Sequence, residues 1–376
     1  METTSLDIAL PRSGIPHLLQ QNLAIARPAT LKGMPLQPHL KHLIEGHATL
    51  SREDARDLMQ QILSGQLTDI EIAALLGALA ARGETPAEIA GFVETMRAAA
   101  TTFPLEPSER ELLVDTCGTG GDASRTFNIS TASALVAAAA GATVAKHGNR
   151  AITSQTGSAD VLEALGIPVG LSPVEATAAL RAHRFAFLHA PSLHPAMKAV
   201  MPVRRALGVR TVFNLLGPLT NPAGAPAQVM GVYAPHLVPL VAEAMAQLGI
   251  RHAFVVHGAA ATPNGPGLDE ISIFGPTHIA EVHNGIVILS TITPEDAGLT
   301  RAPAESLIGG DARTNAAILT AIFSGEPGPR RDVVLLNAAA VLVAADLAPD
   351  LRTGAALAAR TIDTGSVTNL LTNLRA

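Results

Sequence analysis

The stretch 115–158 constrains the fold more than any other part of the chain. It reads DTCGTGGDASRTFNISTASALVAAAAGATVAKHGNRAITSQTGS. An apolar run at 112–114 leads into Gly118-Thr119-Gly120-Gly121-Asp122. Asn128-Ile129-Ser130-Thr131 then opens an Ala-rich run of strong helical propensity. A second strand-like run at 143–145 ends in Lys146-His147-Gly148-Asn149-Arg150. No acidic residue falls between Asp122 and Asp160, whereas Arg125, Lys146 and Arg150 are basic. Glycines, a helix N-terminus and unopposed positive charge describe a place for anions, above all phosphates.

The same alternation continues downstream. Strand-like runs at 112–116, 143–146, 185–189, 229–233 and 253–257 are separated by Ala/Leu-rich segments of helical length. This predicts an α/β domain with a mostly parallel central sheet flanked by helices. Asn284-Gly285 between apolar flanks reads as a tight hairpin turn within 278–292. Helix returns toward the C-terminus, including 331–345 and 364–374.

Ahead of this domain the pattern is purely helical. Ser51-x-x-Asp54, Thr68-x-x-Glu71 and Thr85-x-x-Glu88 are N-terminal capping signatures, the last with Pro86 at the first helical position. Ala55, Leu58, Met59, Ile62 and Leu63 then share one helix face, and Gly65 and Gly83 mark helix ends. The expected organisation is an N-terminal extension at 1–35, partly disordered, then a small all-helical domain at 36–106 and the α/β domain at 107–376. Helices near 194–210 are candidates to join the helical domain. The Pro-containing stretch 102–107 is the expected junction.

Composition removes several function classes. A net charge of −6 disfavours a general nucleic-acid binder. Cys117 is the single cysteine, which excludes an intrachain disulfide and a cysteine-based zinc site. The apolar run 134–142 is far too short to span a bilayer, and residues 1–33 lack a signal-peptide pattern. The expectation is a cytoplasmic protein without a membrane partner.

Gly118-x-Gly120-x-x-Ala123 satisfies a loose dinucleotide fingerprint, but no acid follows at the ribose-binding distance. A Walker loop is ruled out by the missing Lys-Ser/Thr pair. Lys146, at a strand end, is the natural cation for a phosphate, and hydroxyls follow at Thr153, Ser154, Thr156 and Ser158. His147 is a candidate base, with an ordinary hydrogen-bonded histidine the competing reading. Asp269-Glu270, after a Gly/Pro-rich loop, could with the Ser130 hydroxyl hold Mg²⁺ on a diphosphate. Arg204-Arg205 could fork onto a substrate carboxylate.

GTGGD, TFNIST, KHGNRA, GSADVLEALG, HPAMKAVMPVRRALGVRTVFNLLGPLTNPAG and LDEIS, in this order, resemble the anthranilate phosphoribosyltransferase family from about residue 38 onward. The resemblance implies a helical domain plus an α/β domain, and a homodimer joined through the helical part. It implies transfer of phosphoribose from phosphoribosyl pyrophosphate (PRPP) to the amine of anthranilate in tryptophan biosynthesis. Carried over position by position, PRPP would meet Gly118, Gly121, Asp122, Thr126, Asn128, Ile129, Ser130, Thr131, Lys146, Asn149, Ser154 and Ser158. Anthranilate would meet Gly118, Asn149 and Arg204, and Mg²⁺ would be held by Ser130, Asp269 and Glu270. The sequence departs from the family at Thr153 and Gln155, in a longer loop at 259–266, and at Ala81 and Arg82. A pyrimidine nucleoside phosphorylase would share the architecture but not need Asp269-Glu270. A non-enzymatic relative binding nucleic acid would need a basic face.

Overall fold

A computed structural model describes residues 35–151, 155–260, 265 and 267–375. The expected N-terminal extension, apart from Pro35, lies outside them, as do Thr153, Ser154 and most of the 259–266 loop. The described residues begin with four helices, α1 (Leu36–Ile44), α2 (Arg52–Leu63), α3 (Asp69–Arg82) and α4 (Pro86–Ala98). The caps form as the sequence suggests. Ser51 accepts the Asp54 amide, while Thr68/Glu71 and Thr85/Glu88 close reciprocal capping boxes.

Glu88 does more than cap. It is fully buried and also accepts from the Leu50 amide at 2.7 Å and from the Arg82 guanidinium at 2.7 Å. Arg82 in turn donates to the Ala48 carbonyl at 2.6 Å. In the sequence Arg82 stands only as a departure from the family pattern. The structure makes it the counter-charge of a buried carboxylate.

A single-turn helix α5 (Pro107–Arg110) precedes a seven-stranded sheet ordered β3-β2-β1-β4-β5-β6-β7. The strands are β1 (Leu113–Gly118), β2 (Thr143–Gly148), β3 (Phe185–His189), β4 (Ala227–Gly231), β5 (His252–Gly258), β6 (Thr277–His283) and β7 (Ile286–Ile292). β1 to β5 run parallel, and β6 and β7 add antiparallel around the Asn284-Gly285 turn. β4 starts two residues earlier than the expected 229–233. The reason is Gln228, a polar residue in a buried strand, whose amide donates to the Pro218 carbonyl at 2.7 Å.

The helices between the strands are α6 (Ile129–Ala139), α7 (Ser158–Ala164), α8 (Pro173–His183), α9 (Ala190–Leu193), α10 (Met201–Leu207), α11 (Phe213–Leu219) and α12 (Leu237–Gln247). Four C-terminal helices follow: α13 (Ala312–Phe323), α14 (Pro329–Ala344), α15 (Leu351–Asp363) and α16 (Ser366–Arg375). Alternation along β5 sends Phe254 and Val256 into a core with α6 and α13 to α16, and Ala253 and Val255 into a core with α12. That second core continues through α10 and α11 into α1 to α4. α6 and α14 are buried along nearly their whole length, which is why both are Ala-rich and apolar all round. Among the described residues no helix is long and apolar enough to cross a membrane.

Candidate active site

Open parallel sheets bind ligands outside the carboxyl ends of their strands, at the point where strand order reverses. Here β2 and β3 lie to one side of β1, and β4 and β5 to the other. The ends of β1 and β4 are Gly118 and Gly231, paired in register. The main chain of Asp269 fills the space above them. A Cβ on Gly231 would stand 1.6 Å from the Asp269 carbonyl oxygen, and one on Gly118 would stand 2.2 Å from its carboxylate. Both positions are therefore restricted to glycine by close approach.

From there the predicted residues connect. The Asp269 carboxylate accepts the Gly120 amide at 2.7 Å, and the Asp269 amide donates to Asp122 at 3.3 Å. The Glu270 carboxylate accepts the Ser130 amide at 3.0 Å, at the start of α6. The Ser130 hydroxyl accepts from the Lys146 ammonium at 3.3 Å, which also donates to the Thr116 carbonyl at 2.6 Å. Lys146 is buried, with 1% exposure. Gly120, Gly121, Ala123 and Arg125 all take positive φ, so the loop that links β1 to α6 is tightly wound.

The remaining candidates divide by what their side chains do. Thr131 donates to the Ser158 hydroxyl at 3.1 Å, which ties the start of α6 to the start of α7. Asn128 accepts from Asn315 at 2.9 Å and donates to the Thr156 carbonyl at 3.1 Å, so its amide fixes the loop. Ile129 points into the core and can offer only its backbone. Thr126 bridges to Ile308, and its hydroxyl lies 3.3 Å from that of Ser124. The Asn149 side chain accepts the Arg150 amide at 2.7 Å. Ser154 lies outside the described residues.

Arg150 corrects the expectation of unopposed positive charge. Its guanidinium turns outward to Glu163 at 2.6 Å and Asp160 at 3.1 Å, carboxylates supplied by α7. Lys146, buried at the end of β2, keeps its ammonium in the cleft beside Ser130. His147 is buried, and burial together with the neighbouring His194 lowers its pKa to about 3. An imidazole so reluctant to take a proton is a weak base at neutral pH, which favours the competing reading of an ordinary hydrogen-bonded histidine, here bonded to the Gly217 backbone. The two rings meet edge to face, 5.2 Å between centroids. Arg204, on α10, stacks over Phe213 at 5.4 Å, and burial lowers its pKa. No carboxylate pairs with it among the described residues. Arg205 is exposed.

Asp269 and Glu270 stand together with Asp122, and enclosure by the protein raises both acids, Asp269 well above the ordinary range and Glu270 to about 7. Asp122 and Glu270 push Asp269 further, while Lys146 draws Glu270 back. Two carboxylates and the Ser130 hydroxyl form a hard-oxygen donor set suited to Mg²⁺. Among the described residues no three His, Cys, Asp or Glu side chains form a complete cage. A cation here would complete its shell with oxygens of a bound ligand, as Mg²⁺ commonly does with phosphates.

Sequence reasoning missed four contributors. Gly231 is signalled only by a glycine at a strand end. Asn221 holds Asp115 from a loop, and Asn315 holds Asn128 from α13, neither with a spacing that reveals it. Arg210 stacks on Tyr233 at 4.1 Å and donates to the Gly121 carbonyl, reaching the glycine loop from the segment before α11.

This architecture is that of a two-domain glycosyl transferase. The family profile of the glycosyl transferase a/b domain matches residues 110–368, and that of the family's helical bundle domain matches residues 37–100. The anthranilate phosphoribosyltransferase of Symbiobacterium thermophilum is 51% identical over 336 residues, covering 89% of this chain and 96% of that protein. The crystal structure of the Thermus thermophilus anthranilate phosphoribosyltransferase superposes with a TM-score of 0.81 at 44% identity, covering 90% of this chain and 99% of the other. The Saccharomyces cerevisiae enzyme in complex with PRPP and Mg gives 0.79 at 27% identity, covering 90% of this chain and 96% of the other. The chain belongs to the glycosyl transferase family and, within it, to the anthranilate phosphoribosyltransferases.

Proposed function

We propose that the protein transfers the phosphoribosyl group of PRPP to the amine of anthranilate, releasing pyrophosphate, in tryptophan biosynthesis. The observation that carries this is a pair of hydrogen-bonded runs, Gly120–Asp269–Asp122 and Glu270–Ser130–Lys146, which the peptide bond between Asp269 and Glu270 brings to one place. Together they gather anion-binding amides, a buried cation and two adjacent carboxylates at the ends of β1, β2 and the loop after β5. The yeast relative has been solved with PRPP and Mg and with 4-fluoroanthranilate, which supports the same ligands here.

In this reading the Gly121 amide and the start of α6 receive phosphate oxygens, helped by the positive end of the helix. Lys146 spends two donors on Thr116 and Ser130 and turns the third to the ligand. Asp269, Glu270 and the Ser130 hydroxyl would hold Mg²⁺, which when bound offsets the charge gathering on the departing pyrophosphate. The ribose C1–O bond breaks, pyrophosphate leaves with the electron pair, and the neutral aryl amine forms the C1–N bond. The nitrogen sheds its extra proton after attack, so no strong base is required. His147 and His194, both held neutral, can line the acceptor without charging it. Arg204 meets the anthranilate carboxylate, and Asn149 and Gly118 flank the ring. Catalysis is then mainly positioning and electrostatic stabilisation.

The reading extends to organisation. The helical domain is taken as 36–106 and the catalytic domain as 107–376, acting in the cytoplasm as a homodimer through the helical part. Ile70, 82% exposed on α3, and Ile44, 54% exposed on α1, are apolar surface suited to such an interface. The test mixes protein, PRPP, Mg²⁺ and anthranilate and follows loss of anthranilate fluorescence. Turnover that needs all four is expected. Phosphorolysis of a pyrimidine nucleoside with anthranilate untouched would overturn the assignment.

A further inference from the structure

β1 and β2 are neighbours in the sheet, yet their register covers only Leu113↔Thr143 and Val114↔Val144. Beyond that point each strand follows its other neighbour. β1 stays paired with β4 out to Gly118, and β2 stays paired with β3 out to Gly148. The sheet therefore forks, and the two prongs carry the two halves of the site. The glycine loop grows from one, and Lys146 to Asn149 from the other. A fork inside a sheet strands backbone groups that the ladder would have satisfied.

Side chains take their place. The Asp115 carboxylate, fully buried on β1, accepts the His147 amide of β2 at 3.1 Å through Oδ1. Its Oδ2 accepts from the Asn221 side chain at 2.9 Å. Asn221 Nδ2 also donates to the Ala145 carbonyl of β2 at 2.8 Å, and its Oδ1 accepts the Ala223 amide at 3.0 Å. Lys146 crosses the fork in the other direction, to the Thr116 carbonyl of β1. Its charge is also the attraction that offsets the cost of burying Asp115.

We propose that Asp115 and Asn221 are positioning residues that set the width of this fork, and with it the distance between the glycine loop and the Lys146–Asn149 loop. The proposal rests on the phosphoribosyl-transfer reading. Neither residue need touch substrate. The pair acts by holding the two loops at the spacing that one PRPP molecule must span, and a misplacement of about 1 Å can cost on the order of 100-fold in rate.

The test uses Asp115→Asn, Asn221→Asp and the exchange Asp115→Asn/Asn221→Asp in the full-length enzyme, with kcat and KM for PRPP determined per folded protein. In Asp115→Asn the new amide faces the Asn221 donor. In Asn221→Asp two carboxylates face each other and the bond to Ala145 is lost. Each single variant is expected to lose about 100-fold in kcat/KM for PRPP. The exchange restores donor facing acceptor between the two side chains, and is expected to recover at least tenfold over the weaker single variant. Should Asp115→Asn not accumulate as folded protein, Asn221→Ser, which keeps one donor where two are needed, carries the same comparison. A residue with a merely structural role would lower the melting temperature and leave the kinetics of the folded enzyme at wild-type values; that result, or an exchange no better than either single change, overturns the proposal. Wild-type enzyme that leaves anthranilate unconsumed in the same assay would instead overturn the underlying activity.

Discussion

Replacing Gly231 by alanine adds one methyl group at the most crowded point of the cleft. The new Cβ would lie 1.6 Å from the Asp269 carbonyl oxygen, 2.3 Å from its carbonyl carbon and 3.1 Å from its Cα. All three are backbone atoms, so no rotamer change relieves the clash. Van der Waals contact between carbon and its neighbours lies near ~3.5 Å, so the Asp269 backbone must retreat by well over about 1 Å. That movement breaks the 2.7 Å bond to Gly120 and the 3.3 Å bond to Asp122, and carries Glu270 with it. A displacement of about 1 Å at a reacting centre costs on the order of 100-fold, which corresponds to about 2.7 kcal/mol. Gly231→Ala should therefore lose at least about 100-fold in kcat/KM and require more Mg²⁺ for half-maximal rate. Overpacking should also lower stability, by about 1–3 kcal/mol. Gly170→Ala, where a Cβ meets nothing within 4 Å, is the matched control and should behave as wild type. Initial rates of anthranilate consumption against Mg²⁺ concentration provide the comparison. Wild-type kinetics and Mg²⁺ dependence in Gly231→Ala would refute the steric argument.

Arg82→Met leaves the Glu88 carboxylate buried without its cation. It should cost about 3–5 kcal/mol in denaturant unfolding while the folded enzyme keeps its kcat; a loss below 1 kcal/mol would contradict the assignment. His147 is held near pKa 3 against an ordinary value of 6.5, so its contribution is present above pH 6.5 and is lost as pH falls toward 3. Within that window it should steepen acid destabilisation by about 1.4 kcal/mol per pH unit, and His147→Asn should remove one proton from the measured pH slope. Lys146→Met should raise KM for PRPP by at least tenfold and leave a site that no longer binds pyrophosphate in calorimetry. Asn128→Ala unlinks Asn315 from Thr156 and should raise KM for PRPP several-fold, read from the same initial-rate series.

Much of the fold is legible in local pattern because its signals are local. Thr68 with Glu71, Thr85 with Glu88 and Asn284-Gly285 each act across three residues or fewer, and each sits where sequence places it. β4 reads two residues late in the sequence because Gln228 is buried through a partner, Pro218, that only the fold supplies. The same distinction divides the site. Gly118 to Asp122 and Lys146 are readable because glycine turns and strand-end cations are properties of short stretches. Arg150 reads as part of an anion site because sequence shows the absence of nearby acids in the chain, not the approach of Glu163 and Asp160 from α7. Arg82 is not legible because Glu88 is buried only once α4 packs on α2. Asp115 and Asn221 are separated by 106 positions, and nothing in either neighbourhood announces the bond between them.

The central claim is that Asp269, Glu270 and the Lys146 side of the cleft act together on one diphosphate. Its most direct test is the stoichiometry of pyrophosphate released to anthranilate consumed, in wild type and in Asp269→Ala/Glu270→Ala. The account predicts one pyrophosphate per anthranilate for wild type, and no Mg²⁺-dependent turnover in the double variant. Unchanged activity in the double variant, or anthranilate lost without pyrophosphate, would contradict it.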